Sequence, residues 1–545
     1  MILDFRRTET PVAFDTDICV IGSGAAGLTL ASQLAGAMRV LLVEAGDHNP
    51  ARNRDDSLIG ESDTRFEGFE AGRRRALGGA TRGWFGQCIR FDPIDFEARD
   101  WVAESGWPFG LSELVPFYER AEQLLGLDHP IYDARLWRAA GRPEAAFNNF
   151  DVTPRFTIYC PQPDFSKFLG PSLTAPNGST TVLLNACATE IVLGASGREV
   201  RALTLRGDGD RAGTVHARCF VLAGGGIENP RLLLASNAVQ EAGVGNAHDL
   251  VGRFFQDHPS GTTGDLTIAN PTRLQDQFRK FRSRHCGRGG RLVWPKLALT
   301  ERAQRHGRYL NANALVLYDY AEGSALTVAK RAVAAAKARQ PLALARETIR
   351  LGRHLPELIG RAAHSWATGL APAFRPSRVM LKAHVEQVPN PDNRITLSPT
   401  RDRFGLPRAR LSWRVHPEEL RTLAAVTAAV GDEFHRLGFG RMQVASWLKE
   451  GPDVAQPHLE DTYHHAGTTR MASTPRAGVV DPNGRVFGVE NLYIAGGSVF
   501  PTSSYANPTL TIVAMAIRLA DWLKRQHTTS VVAPVDEPAP ALADV

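Results

Sequence analysis

One glycine turn near the start of the chain limits the folds open to it. The apolar run Asp17-Ile-Cys-Val-Ile21 leads into Gly22-Ser-Gly24-Ala-Ala-Gly27. Next come a helix-forming stretch, Leu28 to Ala37, and a second apolar run, Arg39-Val-Leu-Leu-Val43, which ends at Glu44. Two apolar runs joined by a helix predict a βαβ unit with parallel strands. Each glycine has its own task in such a unit. Gly22 permits the tight turn, Gly24 lets a pyrophosphate reach the backbone, and Gly27 allows close helix–strand packing. Ala25 and Ala26 complete the phosphate-facing start of the helix, and Glu44 can bind ribose hydroxyls. The pattern signals a dinucleotide and does not by itself separate FAD from NAD.

At 545 residues the chain exceeds one simple core, which predicts two joined domains. A loop-rich stretch follows Glu44, and strand-like segments return over 181–236. The span 262–450 reads as a separate sheet with helices, including Leu420 to Leu437. Residues 488–524 again read as strand, glycine turn and long helix. The expected architecture is therefore α/β and interleaved. A Rossmann-like dinucleotide domain takes 1–261 and 451–525, with a cap region at about 47–165. A second domain, built on a mainly antiparallel sheet with helices, takes 262–450. The Pro- and Ala-rich residues 526–545 are expected to form a flexible tail. A cofactor touched by both ends of the chain favours FAD, because a second glycine turn, Ala495-Gly-Gly-Ser498, precedes the last helix.

The net charge of +6 is concentrated in one place. Residues 328–375 hold nine Lys/Arg and two Glu, so the basic excess gives no reason to expect nucleic-acid binding. Val328, Ala332, Ala335 and Ala336 alternate there with Lys330, Arg331 and Lys337, which predicts an amphipathic helix. A solvated helical hairpin, a substrate lid, or a docking face for an acidic acceptor or membrane surface all fit this pattern. No apolar run is long enough for a membrane span, and the Arg pair near the start has no apolar stretch behind it, so no secretory or twin-arginine signal is expected. The six cysteines are scattered, with no C-x-x-C pair. They suggest neither a metal site nor a disulfide framework, and fit a cytoplasmic location.

Five further motifs occur in a fixed order. They are Leu77-Gly-Gly-Ala-Thr-Arg-Gly-Trp84, Val221-Leu-Ala-Gly-Gly-Gly-Ile-Glu-Asn-Pro-Arg231, Val251-Gly-Arg-Phe-Phe-Gln-Asp-His-Pro259, His464-His-Ala-Gly-Thr-Thr-Arg-Met471 and Pro501-Thr-Ser-Ser-Tyr-Ala-Asn-Pro-Thr509. Together with the first turn, this set resembles glucose–methanol–choline (GMC) oxidoreductases, especially the bacterial branch near pyranose oxidases and glycoside 3-oxidases. The resemblance spans residues 15–525 apart from middle segments. It implies an FAD enzyme that oxidises an alcohol by hydride transfer to flavin N5.

The resemblance also implies site residues. Gly79, Thr81, Trp84, Ala188, Gly497, Ser498, Asn507, Pro508 and Thr509 join the first turn as cofactor-binding positions. The catalytic pair falls on His464 and Asn507. The chemistry asks for these types: an alcohol must lose its hydroxyl proton as hydride leaves, and imidazole titrates near working pH. An amide can hold the substrate oxygen without competing for that proton. His465 reads as a structural neighbour, and His258 as support for packing. Where some pyranose oxidases attach FAD through a histidine, this chain has Gly83, so FAD is expected to be non-covalent. Many relatives have an aspartate near the final turn, where this chain reads Gly496-Gly497, so backbone N–H groups must meet the pyrophosphate there.

The implied substrate is a small alcohol, of carbohydrate or glycoside type by analogy with one branch. Oxygen, a quinone or a redox protein can take the electrons. Other readings are a non-sugar alcohol, a GMC-fold lyase or other non-oxidative flavoenzyme, and an FAD-binding protein without activity. The last conflicts with the presence of both His464 and Asn507.

Overall fold

The computed structural model describes residues 1–48, 56–142, 144–173, 178–370 and 372–531. Two large sheets organise the chain, as the interleaved α/β reading expects. The first has eight strands. Ile2–Asp4, Thr180–Leu184, Val40–Val43, Val12–Ile21 and Ala212–Leu222 lie side by side in parallel. Leu492–Ile494 adds in parallel to the far end of Ala212–Leu222, and Val200–Arg206 and Cys187–Leu193 continue the sheet antiparallel. Val40–Val43 is buried at every position, which explains its unbroken apolar sequence.

The helix Ala25–Leu34 follows the first glycine turn and packs on the C-terminal helix Thr509–Val531. Gly27 makes the crossing possible. A Cβ there would stand 1.8 Å from the Gly22 carbonyl oxygen, closer than any side chain can approach. Gly22 itself has φ +102°, a conformation that L side chains rarely adopt. The C-terminal helix runs past the expected tail boundary to Val531, and 532–545, the rest of that expected tail, lies outside the described residues.

The second sheet also has eight strands, paired antiparallel. Its main order is Gly440–Val444, Ser260–Ile268, Arg378–Val385, Ala312–Asp319, Arg291–Leu299, Val152–Tyr159 and Gln87–Cys88, with Phe281–Ser283 added to Arg291–Leu299. Two of these strands come from the span read as a cap. Val152–Tyr159 and Gln87–Cys88 close this sheet instead, because alternation alone does not say which sheet a strand joins.

The two faces of the second sheet divide the work. On one, the helix Pro417–Arg436 lays Leu423, Val426, Val430 and Phe434 against the strands, all fully buried. Their three- and four-residue spacing is one helical stripe, and each such burial contributes about 1.5–3 kcal/mol. The helix starts cleanly, with Pro417 in its first turn and Glu419 accepting the His416 N–H at 2.6 Å. The opposite face carries Trp294 and Lys296, Asn313, Leu315 and Leu317, and Lys382 and His384, each set at alternate positions of its strand. That face looks toward the first sheet's unit.

Candidate active site

A cavity of about 270 Å³ lies against this sheet face, bordered by Gln87 of the edge strand and closed on its other side by His258, His464, Tyr505 and Asn507. Backbone pairing brings these histidines together. The segment around Gln256 runs antiparallel to the segment around Ala466, with reciprocal N–H···O bonds of 3.0 and 2.9 Å. A second bridge joins Ser260 to Glu460. His258 is thereby set beside Thr462 and His464. Beyond the pairing, the Gly467, Thr469 and Met471 N–H groups donate to Gly497, Ser498 and Val499 carbonyls, tying the His-His-Ala-Gly-Thr-Thr stretch to the final glycine turn. Tyr463 and Ser504 hold left-handed φ values of 64° and 57° next to this constellation. Such conformations persist in non-glycine residues only where surrounding structure enforces them.

The hydrogen bonds assign the proton positions. His258 Nε2 lies 3.2 Å from the Ser503 carbonyl oxygen, which can only accept, so Nε2 carries the proton. Neutral His258 then presents a lone pair at Nδ1, 3.0 Å from His464 Nδ1. The Thr462 hydroxyl, 3.1 Å from the same His464 nitrogen, donates its own proton to Asp257 Oδ1 at 2.6 Å. Both neighbours of His464 Nδ1 are acceptors, so His464 is protonated there. Its Nε2 keeps its lone pair, lies on the cavity wall and accepts from Asn507 Nδ2 at 3.4 Å. Burial pulls the pKa of His464 down to about 3, with His465 and Lys296 adding repulsion. Burial, then His464, lowers His258 likewise to about 3. Both rings are neutral at working pH.

His258 was assigned to packing from sequence, and this is a correction: it orients the ring of His464. The Gln-Asp-His-Pro order was the available signal, since Asp257 accepts from both the His258 and His464 backbone N–H groups. His465 points elsewhere. Its ring lies between Phe66 and Phe255, at centroid distances of 5.5 and 5.8 Å.

The cofactor-type residues gather at the other side of the site. The helix after Gly24 begins without a side-chain cap, leaving its first N–H groups open, and a Cβ on Gly24 would meet no atom within 4 Å. Gly79 packs on Gly24, where an added Cβ would stand 3.0 Å from the Gly24 Cα. Gly496 turns toward Ala26, and Gly497 lies against the His465 backbone. Thus the first glycine turn meets both the Leu77–Trp84 motif and the final glycine turn. Glu44 is buried, accepting from Ser23 N–H and hydroxyl at 3.1 and 2.6 Å and from Gly46 N–H at 2.8 Å. Burial raises its carboxyl pKa against those bonds.

The remaining expected residues have the following places. Thr81 donates to the Gly78 carbonyl oxygen at 2.6 Å, while Trp84 packs on Phe165 with a buried indole N–H that finds no protein partner among the described residues. Half-buried Ala188 follows Ala186, whose N–H donates to the Glu44 carbonyl. Ser498 accepts from Asn229, which also holds the Gly224 N–H and so joins two glycine turns. Pro508 and Thr509 start the C-terminal helix beside Asn507. Gly83 is exposed, with no neighbour closer than 3.9 Å to an added Cβ. Among the described residues no cluster suited to a metal ion occurs, and no helix is long and apolar enough to cross a membrane.

Comparison with known proteins meets the same picture. The family model of the GMC oxidoreductase C-terminal part matches residues 389–516, the span that holds His464 and Asn507. The C-terminal part of the chain is that of a GMC oxidoreductase. It is 26% identical to the 6'''-hydroxyparomomycin C oxidase of Streptomyces lividus, over 92% of this chain and 90% of that protein. A C-glycoside 3-oxidase of Arthrobacter globiformis is 33% identical over 132 residues, 24% of each chain. A variant of Aspergillus oryzae formate oxidase, studied for FAD modification, has the same fold at TM-score 0.56 and 16% identity, covering 96% of this chain and all of that one. These matches make the chain an FAD-dependent enzyme acting on CH–OH donors, and the open Gly24 cradle with its uncapped helix N-terminus suits that dinucleotide.

Proposed function

We propose that this enzyme oxidises a hydroxyl-bearing carbon of a sugar or glycoside, with His464 as base and Asn507 holding the oxygen. The observation that carries the reading is the unprotonated His464 Nε2, aimed into the cavity beside the Asn507 amide. FAD, when bound, supplies the hydride acceptor. A substrate hydroxyl entering between the two side chains donates its proton to His464 Nε2 and accepts from Asn507 Nδ2. Gly22, Gly24–Gly27, Glu44, Gly79 and Gly497 would hold the dinucleotide. The first sheet's unit would carry it, and the second sheet would form the substrate wall. The carbohydrate assignment draws support from the oxidases of an aminoglycoside and a C-glycoside among the similar proteins.

FAD is held without a covalent bond in this reading, since Gly83 stands where a histidine link would form. Acid precipitation should release the yellow chromophore into solution, and flavin remaining with the polypeptide refutes the claim. Anaerobic mixing with a panel of sugars, glycosides, sterols and simple alcohols tests the substrate class. Bleaching by sugars or glycosides is expected. Bleaching by sterols or simple alcohols alone would move the substrate elsewhere, and bleaching by none would favour a non-oxidative flavoenzyme.

A further inference from the structure

The substrate cavity contains one cation without a counter-charge. Lys296 is buried, with 5% of its surface exposed, and lines the cavity alongside His258, His384, His464 and Asn507. Among the described residues the cavity wall includes no aspartate or glutamate. Lys382, also on the wall, is already paired with Glu460 at 2.6 Å. Glu386, the carboxylate that follows the His384 strand, faces Arg99 in a closed bidentate pair at 2.8 and 2.6 Å. Lys296 has no such partner among the described contacts. Burial, with Lys280 adding repulsion, lowers its pKa to about 8. A buried ammonium is costly unless something pairs with it, and here the open space in front is where the substrate goes.

We propose that Lys296 forms an anion-recognising subsite, so that the preferred substrate is an alcohol carrying a carboxylate or phosphate, and ammonium-bearing sugars are disfavoured. This rests on the reading of the His464 cavity as the substrate site. Holoenzyme should be titrated with acetate, inorganic phosphate and D-glucuronate, following flavin absorbance. Bleaching by D-glucuronate, D-glucose and D-glucosamine is scored separately. At least one anion should bind, and Lys296→Met should weaken it by ~10-fold or more, with partial recovery in Lys296→Arg. Which anion responds distinguishes a carboxylate site from a phosphate site. Wild-type enzyme that binds none of them, or that prefers glucosamine over glucuronate, overturns the proposal. So does equal anion binding by a flavin-loaded Lys296→Met or Lys296→Gln protein. If anions bind through Lys296 yet no sugar bleaches the flavin, the carbohydrate reading fails and the anion subsite stands.

A second inference comes from the basic segment. Two neighbouring pocket strands, Ala312–Asp319 and Arg378–Val385, pair antiparallel and need only a short turn. They are joined instead through three helices, Ala325–Lys337, Pro341–Gly352 and Leu355–Thr368. The first buries Val328, Ala332 and Ala335, as its sequence spacing predicts. The others turn apolar side chains outward. Leu342 and Ile349 are 87% and 75% exposed and share one helical stripe, while Leu355, Ile359 and Trp366, the last 91% exposed, share another. Isolated exposed apolar residues are ordinary, but two successive helices each carrying an exposed apolar stripe, the second ending in a tryptophan, are not.

We infer that the exposed stripes of these two helices dock on an anionic bilayer surface. The stripes lie within a segment of nine Lys/Arg and two Glu, so a second copy would bring like charge against like. Protruding leucine, isoleucine and tryptophan side chains among basic residues suit insertion between anionic headgroups. The full chain should co-sediment with vesicles of phosphatidylglycerol and phosphatidylcholine, and not with phosphatidylcholine alone. Added salt should release it, and Ile359→Ser/Trp366→Ser should weaken binding by ~10-fold or more. Absence from phosphatidylglycerol vesicles at low salt, or undiminished binding by the double variant, overturns the inference. A change of oligomeric state in the same variant would show that a second copy covers the face instead.

Discussion

The Nδ1 atoms of His258 and His464 lie 3.0 Å apart, and the single proton between them belongs to His464. That assignment follows from Ser503, whose carbonyl takes the proton on the far side of His258. Replacing His258 with leucine removes the acceptor and leaves His464 free to adopt the other tautomer, which has no lone pair toward the cavity. Flavin reduction should slow by ~10-fold or more while substrate affinity changes little, because His258 acts through His464. His464→Ala should slow it further, by ~100-fold or more. Rapid-mixing reduction rates decide both. A His258→Leu enzyme that keeps its flavin and the wild-type rate would remove His258 from this role.

A second expectation concerns pH. Protonating His464 Nε2 abolishes its capacity as a base, so the reduction rate falls as pH drops through the pKa of that ring. An ordinary histidine would give an acid limb near pH ~6.5. Burial, His465 and Lys296 lower His464 to about 3, so the limb should lie well below its usual place. Removing the positive neighbour in Lys296→Met should move it upward. A wild-type limb near pH ~6.5 would contradict the electrostatics of the site.

Asn507 supplies the third test. Its amide is a fixed dipole whose value grows as negative charge develops on the substrate oxygen, so Asn507→Ala should lower the reduction rate more than substrate affinity. The loss should approach about 3 kcal/mol, the scale known for one such donor. Asn507→His should retain part of the rate. If Asn507→Ala lowers only the melting temperature, the residue serves the start of the C-terminal helix and not the reaction.

Much of this was legible in the sequence because glycine requirements are local. Gly22 and Gly27 announce a turn and a close packing, and both are where the spacing put them. The parallel unit at the start was legible from its apolar runs for the same reason. The role of His258 was not, since it depends on a register between segments some 200 residues apart. Nor did alternation in Val152–Tyr159 show which sheet it would join. Lys296 carries no signal in its neighbourhood, because its meaning lies in the absence, among the described residues, of carboxylates where three other strands and three loops line the cavity.

Gly24 and Gly27 should respond differently to the same added methyl. Gly27→Ala places a Cβ against the Gly22 carbonyl, so the helix cannot seat and little soluble protein is expected. Gly24 has φ −71°, acceptable for alanine, and open space in front of it. Gly24→Ala should therefore fold and lose affinity for FAD by ~10-fold or more, because the methyl occupies the pyrophosphate's approach. Flavin content and circular dichroism of both variants check this. Full flavin retention in Gly24→Ala would place the dinucleotide elsewhere.

The final prediction concerns how the two sheets are held around the cavity. Arg99 and Glu386 form a bidentate pair with no exposed side-chain surface, and the Asn311 N–H donates to the same carboxylate at 3.1 Å. Asn311 Nδ2 in turn donates to Asp95 at 2.8 Å. The Asp95 carbonyl takes the Thr502 hydroxyl at 2.7 Å, one residue before the Ser503 that orients His258. A chain of bonds thus runs from the second sheet through segment 95–99 to the active-site loop. Removing one partner of a buried pair leaves an uncompensated charge and costs about 3–5 kcal/mol, so Glu386→Ala should be strongly destabilised. Replacing both partners, Arg99→Met with Glu386→Leu, leaves no orphaned charge and should recover much of that loss. The double variant should nevertheless reduce its flavin more slowly, because the Asn311 N–H loses its acceptor and the link to Thr502 loosens. Denaturant midpoints and rapid-mixing rates on the three proteins separate the two effects. A double variant that regains stability and full rate would show that the pair supports the fold alone.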